Sequence, residues 1–153
     1  MSIKKIISGG QTGADQAGLI VGVALGLETG GWAPKGWATE NGAAEWLREF
    51  GLREYPISGY PARTEANVRD ADGTVMFGDR DSLGTICTSR AIKTHRKPNV
   101  HFSIPHNHID RVRYMREWLE KNNVTILNVA GNRESKNPGI HQAVVEFLLE
   151  VLS

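Results

Sequence analysis

Ile3-Lys4-Lys5-Ile6-Ile7-Ser8-Gly9-Gly10-Gln11-Thr12-Gly13-Ala14-Asp15 decides the fold of this 153-residue chain. The β-branched run from Ile3 to Ser8 reads as a strand that enters a glycine-rich turn. A helix follows at once, from about Gly13 to Leu25, with Ala14, Ala17, Val21 and Ala24 on one stripe. Gly18 and Gly22 lie a turn apart on that helix, where glycine is costly unless it lets the helix approach the sheet closely. The glycines of the turn free the backbone amides, and the helix N-terminus adds unsatisfied N–H donors and a partial positive charge. Gly9, Gly10, Gln11, Thr12, Gly13 and Asp15 are therefore candidate contacts for an anionic ligand. The alternative is a plain strand-to-helix turn. The loop is neither GxGxxG nor a Walker loop, because no GK[ST] follows.

Outward from this unit, short apolar runs alternate with helical patterns, which argues for a mostly parallel open sheet with helices on both faces. Leu27–Thr29 reads as a second strand. The region from Gly30 to Arg63 is rich in Gly, Pro and Trp, with a short helix around Ala43–Phe50. Such segments often form lids or binding walls, and Trp32, Trp37 and Trp46 argue against disorder. Thr64 is the expected N-cap of a helix reaching Ala71, and Gly73–Gly78 reads as a buried strand. A helix closes at His95 before Pro98, and Asn99–Ile104 is the next strand. Val112, Met115 and Leu119 mark a further helix, and Val124–Val129 the last strand. Asn137-Pro138 opens the final helix, with proline at its first position and Ile140, Val144, Phe147, Leu148 and Val151 on its apolar face. No repeat or linker interrupts residues 1–153, so the expectation is one Rossmann-like α/β domain.

Two further strand ends repeat the chemistry of the first. Gly84 and Thr85 stand at a helix start after Gly78-Asp79-Arg80-Asp81-Ser82-Leu83, and Gly131-Asn132-Arg133-Glu134-Ser135-Lys136 follows the last strand. Ligands of open α/β sheets bind beyond the carboxyl ends of strands, so a pocket shared by the three loops is expected, with Gly84, Thr85, Gly131 and Arg133 in it. Arg63, Asn67 and Asp70 share a helical face. Arg63 suits bidentate binding of phosphate or carboxylate, and Asn67 suits a base edge or ribose. The plainer alternative is a solvated polar face. Lys35 sits where the long loop could close on an anion, or is a surface lysine.

Composition excludes several classes. Hydrophobic residues are 40% and charged residues 23%, and the net charge is +1, which predicts attraction to neither nucleic acid nor membrane surfaces. Arg90, Lys93, Arg96 and Lys97 read as a solvated helix end. The single cysteine, Cys87, cannot form an intramolecular disulfide and is expected as a buried structural thiol. His95, His101, His106, His108 and His141 lack zinc spacing, so no metal site is expected. With no apolar signal region or spanning stretch, the chain is expected in the cytoplasm. Homo-oligomerisation is the expectation from its Trp-rich loops.

Ile7–Asp15, Gly31-Trp32-Ala33-Pro34-Lys35-Gly36, Arg63–Asp70 and Asn128–Ser135 together resemble a family labelled as proposed molybdenum carriers, also described as a circularly permuted YpsA-like branch of the SLOG group. The similarity runs from Ile3 to the last helix. It implies a Rossmann-like fold holding a nucleotide-derived or other phosphorylated small molecule, and the carrier label implies molybdenum cofactor. Non-catalytic binding is the leading expectation. The alternative is N-glycosidic hydrolysis of nucleoside monophosphates, by analogy with LOG phosphoribohydrolases. Their PGGxGTxxE glutamate has no counterpart in Leu83–Thr88, leaving Asp15, Asp70 or Glu134 to substitute. Leu83 replaces a glycine of the family's TGGT loop, which is expected to weaken that anion subsite, and Asn132 stands where proline is common.

Overall fold

The structure, a computed structural model, describes residues 2–103 and 109–153. Six parallel strands form one sheet in the order β5-β2-β1-β8-β6-β7, namely β1 (Lys5–Ile7), β2 (Glu28–Ala33), β5 (Leu52–Glu54), β6 (Gly73–Phe77), β7 (Asn99–Phe102) and β8 (Ile126–Gly131). A separate antiparallel hairpin pairs β3 (Ala38–Thr39) with β4 (Gly42–Ala43). Helices α1 (Ala14–Ala24), α4 (Ile109–Lys121) and α5 (Ile140–Leu152) pack together on one face, while α2 (Tyr60–Asp70) and α3 (Leu83–His95) pair on the other. This is the expected Rossmann-like α/β architecture. The strand expected to reach Ile104, and His106 and His108, extend outside the described residues.

The α1/α4/α5 face holds the main core, where Phe102 lies 4.9 Å from Phe147 between ring centroids and Phe77 meets both. The expected apolar face of α5 is buried in full. On α1, Ala14, Ala17 and Val21 are buried while Ala24 is exposed. A Cβ on Gly18 would lie 2.7 Å from Val129 Cβ, and one on Gly22 would lie 2.5 Å from Thr29 Cγ2. These two glycines therefore set the distance between α1 and the sheet.

Several boundaries differ from the sequence reading, β1 being confined to Lys5–Ile7 of the expected Ile3–Ser8 among them, and four have a structural reason. β2 runs on through Gly30 and Gly31 because Gly31, at φ 122°, lets its backbone press against Ser8, where a Cβ would stand 2.8 Å from Ser8 N. Asn67 then holds the strand in place, accepting from Trp32 N at 2.8 Å and donating to Trp32 O at 3.0 Å. Helix α2 begins at Tyr60 with Pro61 in its first turn, so Thr64 lies inside the helix and does not cap it. β8 starts later, at Ile126, because Asp72 Oδ2 gathers Thr125 N, Thr125 Oγ1 and Ile126 N at 2.9–3.0 Å and fixes the entry to the strand. Pro138 sits in a turn before α5. That helix opens at Ile140 after Gly139, whose N–H donates to Glu134 Oε2 at 2.7 Å, while His141 N donates to Glu134 Oε1 at 3.0 Å.

The long region after β2 is built rather than loose. A six-residue 3-10 helix (Glu45–Phe50) follows the hairpin, and Trp37, Ala44, Leu47 and Leu52 form a small core against Leu19 of α1.

Candidate functional site

A cavity of about 490 Å³ opens beyond the carboxyl ends of β1, β6 and β8, walled on its far side by α2. That volume is in the range of small-molecule sites. Of the expected residues, Gly9, Gln11, Asp15, Arg63, Asn67, Gly84, Gly131 and Arg133 line it. The first and third loops meet directly there: a Cβ on Gly13 would stand 2.8 Å from Glu134 N, and Ala14 N donates to Asn132 O at 3.2 Å.

At the base of the cavity lies a buried charge pair. Arg63 Nη1 stands 3.6 Å from Asp15 Oδ2, and the two residues are 8% and 6% exposed. Gly9 has no side chain because the Arg63 guanidinium covers it; a Cβ there would lie 2.6 Å from Arg63 Cζ. The guanidinium also rests 5.4 Å from the Tyr60 ring centroid, and among the described residues Arg63 Nε has no hydrogen-bond partner. Burial disfavours both charges. It raises the Asp15 pKa to about 6, against the lowering pull of Arg63 and of the Gln11 and Gly9 amides. Burial likewise lowers the Arg63 pKa, opposed by Asp15.

The first loop departs from its expected role as a cradle of free amides. Gly10 N donates to Ser8 Oγ at 3.3 Å, Gln11 N to Asp15 Oδ2 at 3.2 Å and Thr12 N to Gln11 Oε1 at 3.0 Å. Gly10 and Gly13 adopt positive φ, 80° and 79°, to make this internal network possible. Thr12 points away from the cavity and donates to Glu40 Oε2. The loop thus carries its own anion, Asp15, in the first turn of α1.

The second loop is different. α3 has no acidic residue in its first turn, and Ser82 caps it by accepting from Thr85 N at 3.2 Å. Leu83 and Gly84 line the cavity, and their amides belong to the first-turn donors that a helix cannot bond itself. Leu83 sits at an ordinary helical position, so its replacement of glycine carries no backbone strain; the residue is 86% exposed and forms an apolar lip with Tyr60 and Pro61. Arg133 and Lys136, both exposed, bring positive charge to the same mouth.

Asn132 joins the loops. Its N–H donates to Phe77 O at 3.1 Å, its Oδ1 accepts from Asp79 N at 2.7 Å and its Nδ2 donates to Ser82 Oγ at 3.2 Å. A proline there would supply neither the N–H nor the amide, which gives this departure from the family pattern a structural reason.

The remaining expected residues stand apart from the cavity wall. Lys35 is exposed, on a loop whose Gly36 N donates to Glu54. Asp70 accepts from Trp32 Nε1 at 2.8 Å and Arg69 Nε at 2.9 Å on the outer surface. Thr85 is buried behind the wall, its hydroxyl donating to Asp79 O at 2.9 Å. Asn67 lines the wall, yet one donor and one acceptor of its amide are committed to β2 rather than to a ligand. Cys87, read as a buried thiol, is half-buried on the wall. Sequence reasoning missed Tyr60 and Pro61 because the start of α2 was placed at Thr64, although Pro61 carried the signal for an earlier start. It also missed Ser82 and Lys136 as wall residues, and Asn128 within β8. Among the described residues, no three His, Cys, Asp or Glu side chains gather to hold a metal, and no helix is long and apolar enough to cross a membrane.

The architecture matches known proteins across nearly its full length. A solved structure of a proposed molybdenum carrier protein from Syntrophus aciditrophicus SB is similar to it, 36% identical, with a TM-score of 0.90 over 99% of this chain and 96% of that one. No curated protein matches the sequence. The circularly permuted YpsA SLOG family matches residues 6–152, and the chain belongs to that family.

Proposed function

We propose that the cavity binds a phosphorylated, nucleotide-derived small molecule and that the protein carries this ligand rather than transforming it. The observation that supports this most is that cationic and apolar groups share the mouth of the cavity. Arg133, Lys136 and the first turn of α3 give one region positive charge, while Tyr60, Pro61 and Leu83 give the lip an apolar surface. A ligand with an anionic group and a flat apolar ring satisfies both regions. Phosphate pairs with the cations and helix amides, and a heterocycle covers the lip. Molybdenum cofactor, a phosphate-bearing pterin, meets this description as cargo, as does a nucleotide. The similarity to a proposed molybdenum carrier favours the former.

Native mass spectrometry of the purified protein, with and without nucleoside monophosphates and molybdate, tests the reading. A retained or added phosphorylated species, lost in Arg133→Ala/Lys136→Ala, is the expected result. No bound species under any condition would overturn it.

One observation supports a second, catalytic reading. Asp15 is the single carboxylate among the described residues lining the cavity, because Glu134 is committed to the α5 N-terminus and Asp70 to Trp32. A carboxyl with a pKa near 6 can donate a proton close to neutral pH, as cleavage of an N-glycosidic bond requires. Release of free base from nucleoside monophosphates, abolished in Asp15→Asn, would establish this reading, and no release would end it.

A further inference from the structure

The tip of the β3–β4 hairpin carries a carboxylate that is almost wholly enclosed. Glu40 lies between two strands of two residues each, and Gly42 and Ala43 are exposed, yet the Glu40 side chain is only 14% exposed. Its two oxygens are held by donors from two separate loops. Thr12 Oγ1 donates to Oε2 and Ser135 Oγ to Oε1, while Ser135 N donates to Oε2 at 3.2 Å. Arg133 Nε stands 3.5 Å from Oε1. Two hydroxyls, a backbone amide and a guanidinium thus converge on one anion, the donor set expected of an oxyanion receptor. Glu134 N donates to Thr12 Oγ1 at 3.1 Å, which fixes one hydroxyl in place.

This cluster adjoins the cavity through two residues. Gln11 lines the cavity and also accepts from Glu40 N at 2.9 Å through Oε1, and Arg133 belongs to both the cluster and the cavity wall. Behind the tip, Trp37 and Ala44 are seated in the small core and hydrogen-bonded to each other, Ala44 N to Trp37 O at 2.8 Å. The tip can therefore leave without unseating the base of the hairpin.

We propose that Thr12, Ser135 and Arg133 form an anion subsite beside the cavity, that the Glu40 carboxylate fills it, and that a phosphate group displaces Glu40 and lifts the hairpin tip. Carboxylate and phosphate compete for the same donors. Phosphate carries more charge and more acceptor oxygens, so it has the stronger claim on Arg133. The affinity seen from outside is reduced by the fraction of time Glu40 occupies the subsite. The inference rests on reading the cavity as a site for a phosphorylated ligand, but its own test uses inorganic phosphate alone.

Phosphate affinity is measured by calorimetry for the wild-type protein, Glu40→Gln, Glu40→Ala and Glu40→Ala/Ser135→Ala. A competitor that fills the subsite nine-tenths of the time weakens binding about tenfold, so Glu40→Ala gains about that factor and the added Ser135→Ala removes the gain. Glu40→Gln, which keeps the shape and loses the charge, gains part of it. Unchanged or weaker phosphate binding in both single variants, with a lower Tm, would overturn the inference and leave Glu40 as a fastening of the hairpin. If Glu40→Ala fails to fold, absence of a gain in Glu40→Gln overturns it equally. Failure of the carrier reading alone would show differently: nucleotides would not bind, while phosphate affinity would still rise in the Glu40 variants.

Discussion

Replacing Asp15 by asparagine tests the electrostatics at the base of the cavity. Asp15 has its pKa raised from 3.8 to about 6, with burial the main cause and Arg63 at 3.6 Å only partly offsetting it. That separation is long for a charge-assisted hydrogen bond, which runs at about 2.7–2.9 Å, so the attraction is Coulombic without close pairing. The folded protein holds the Asp15 proton more tightly than the unfolded chain does. Its stabilising contribution is therefore complete below pH 3.8 and is lost as pH rises through about 6. A displacement of roughly two pH units, at about 1.4 kcal/mol each, amounts to ~3 kcal/mol. Glu40, Asp70 and Asp72 have lowered pKa values and act with the opposite sign, losing stability as pH falls, but they are common to both proteins. The difference between wild type and Asp15→Asn isolates the single carboxyl. Urea unfolding at fixed ionic strength from pH 4 to 7.5, a window that starts just above the unfolded pKa, should show this difference moving by about 2.5 kcal/mol in favour of the variant. A flat difference would refute the reasoning and mean that the Arg63 attraction balances burial, and one moving in favour of wild type as pH rises would mean that it outweighs burial.

Two further substitutions test how the scaffold holds the cavity. Gly18→Ala places a methyl 2.7 Å from Val129 Cβ, where no flexible chain end can yield. The overpacking, about 1–3 kcal/mol, should exceed the roughly 1 kcal/mol gained in helix propensity, so urea unfolding should show net destabilisation. Asn67→Ala removes both bonds to the Trp32 backbone and strands its N–H. A loss of about 1–3 kcal/mol is expected, with faster amide exchange along β2 than along β6; unchanged exchange in β2 would mean that Asn67 does not hold that strand.

The fold was legible because its signals are local and periodic. The first strand, here Lys5–Ile7, follows from a β-branched run that ends in glycines, and the face of α5 follows from a helical repeat that burial then honours. Where the reading failed, the deciding partner lay far away in sequence. Nothing near Gly30 and Gly31 predicts a strand, because it is Asn67, in α2, that satisfies Trp32 there. The start of α5 is set by Glu134 reaching forward to Gly139 and His141, which outweighs the preference of Pro138 for a first helical turn. Glu40 carried no signal at all, because only folding brings Thr12 and Ser135 around it.

The same argument separates three loops that look alike as sequence. Each offers glycines and a following helix or turn, and each seems equally fit for an anion. Charge distinguishes them once the chain is folded. At α1 the positive end of the helix faces Asp15, and the loop amides are bonded to Ser8, Asp15 and Gln11. At the loop after β8, Arg133 faces Glu40, and Ser135 is bonded to the same carboxylate. α3, which follows the second loop on the cavity wall, has no acidic residue in its first turn. On the proposed reading, a phosphate entering the cavity meets carboxylates already bound at the first and third loops, and at the second a helix start whose preceding loop turns the Asp79 carboxylate onto Asp81 N at 2.9 Å. Asp15 is fixed beneath Arg63 and cannot leave, whereas Glu40 is on a hairpin tip and can. On the proposed reading, phosphate binds first at α3 and Lys136, and Arg133 is recruited only when Glu40 gives way.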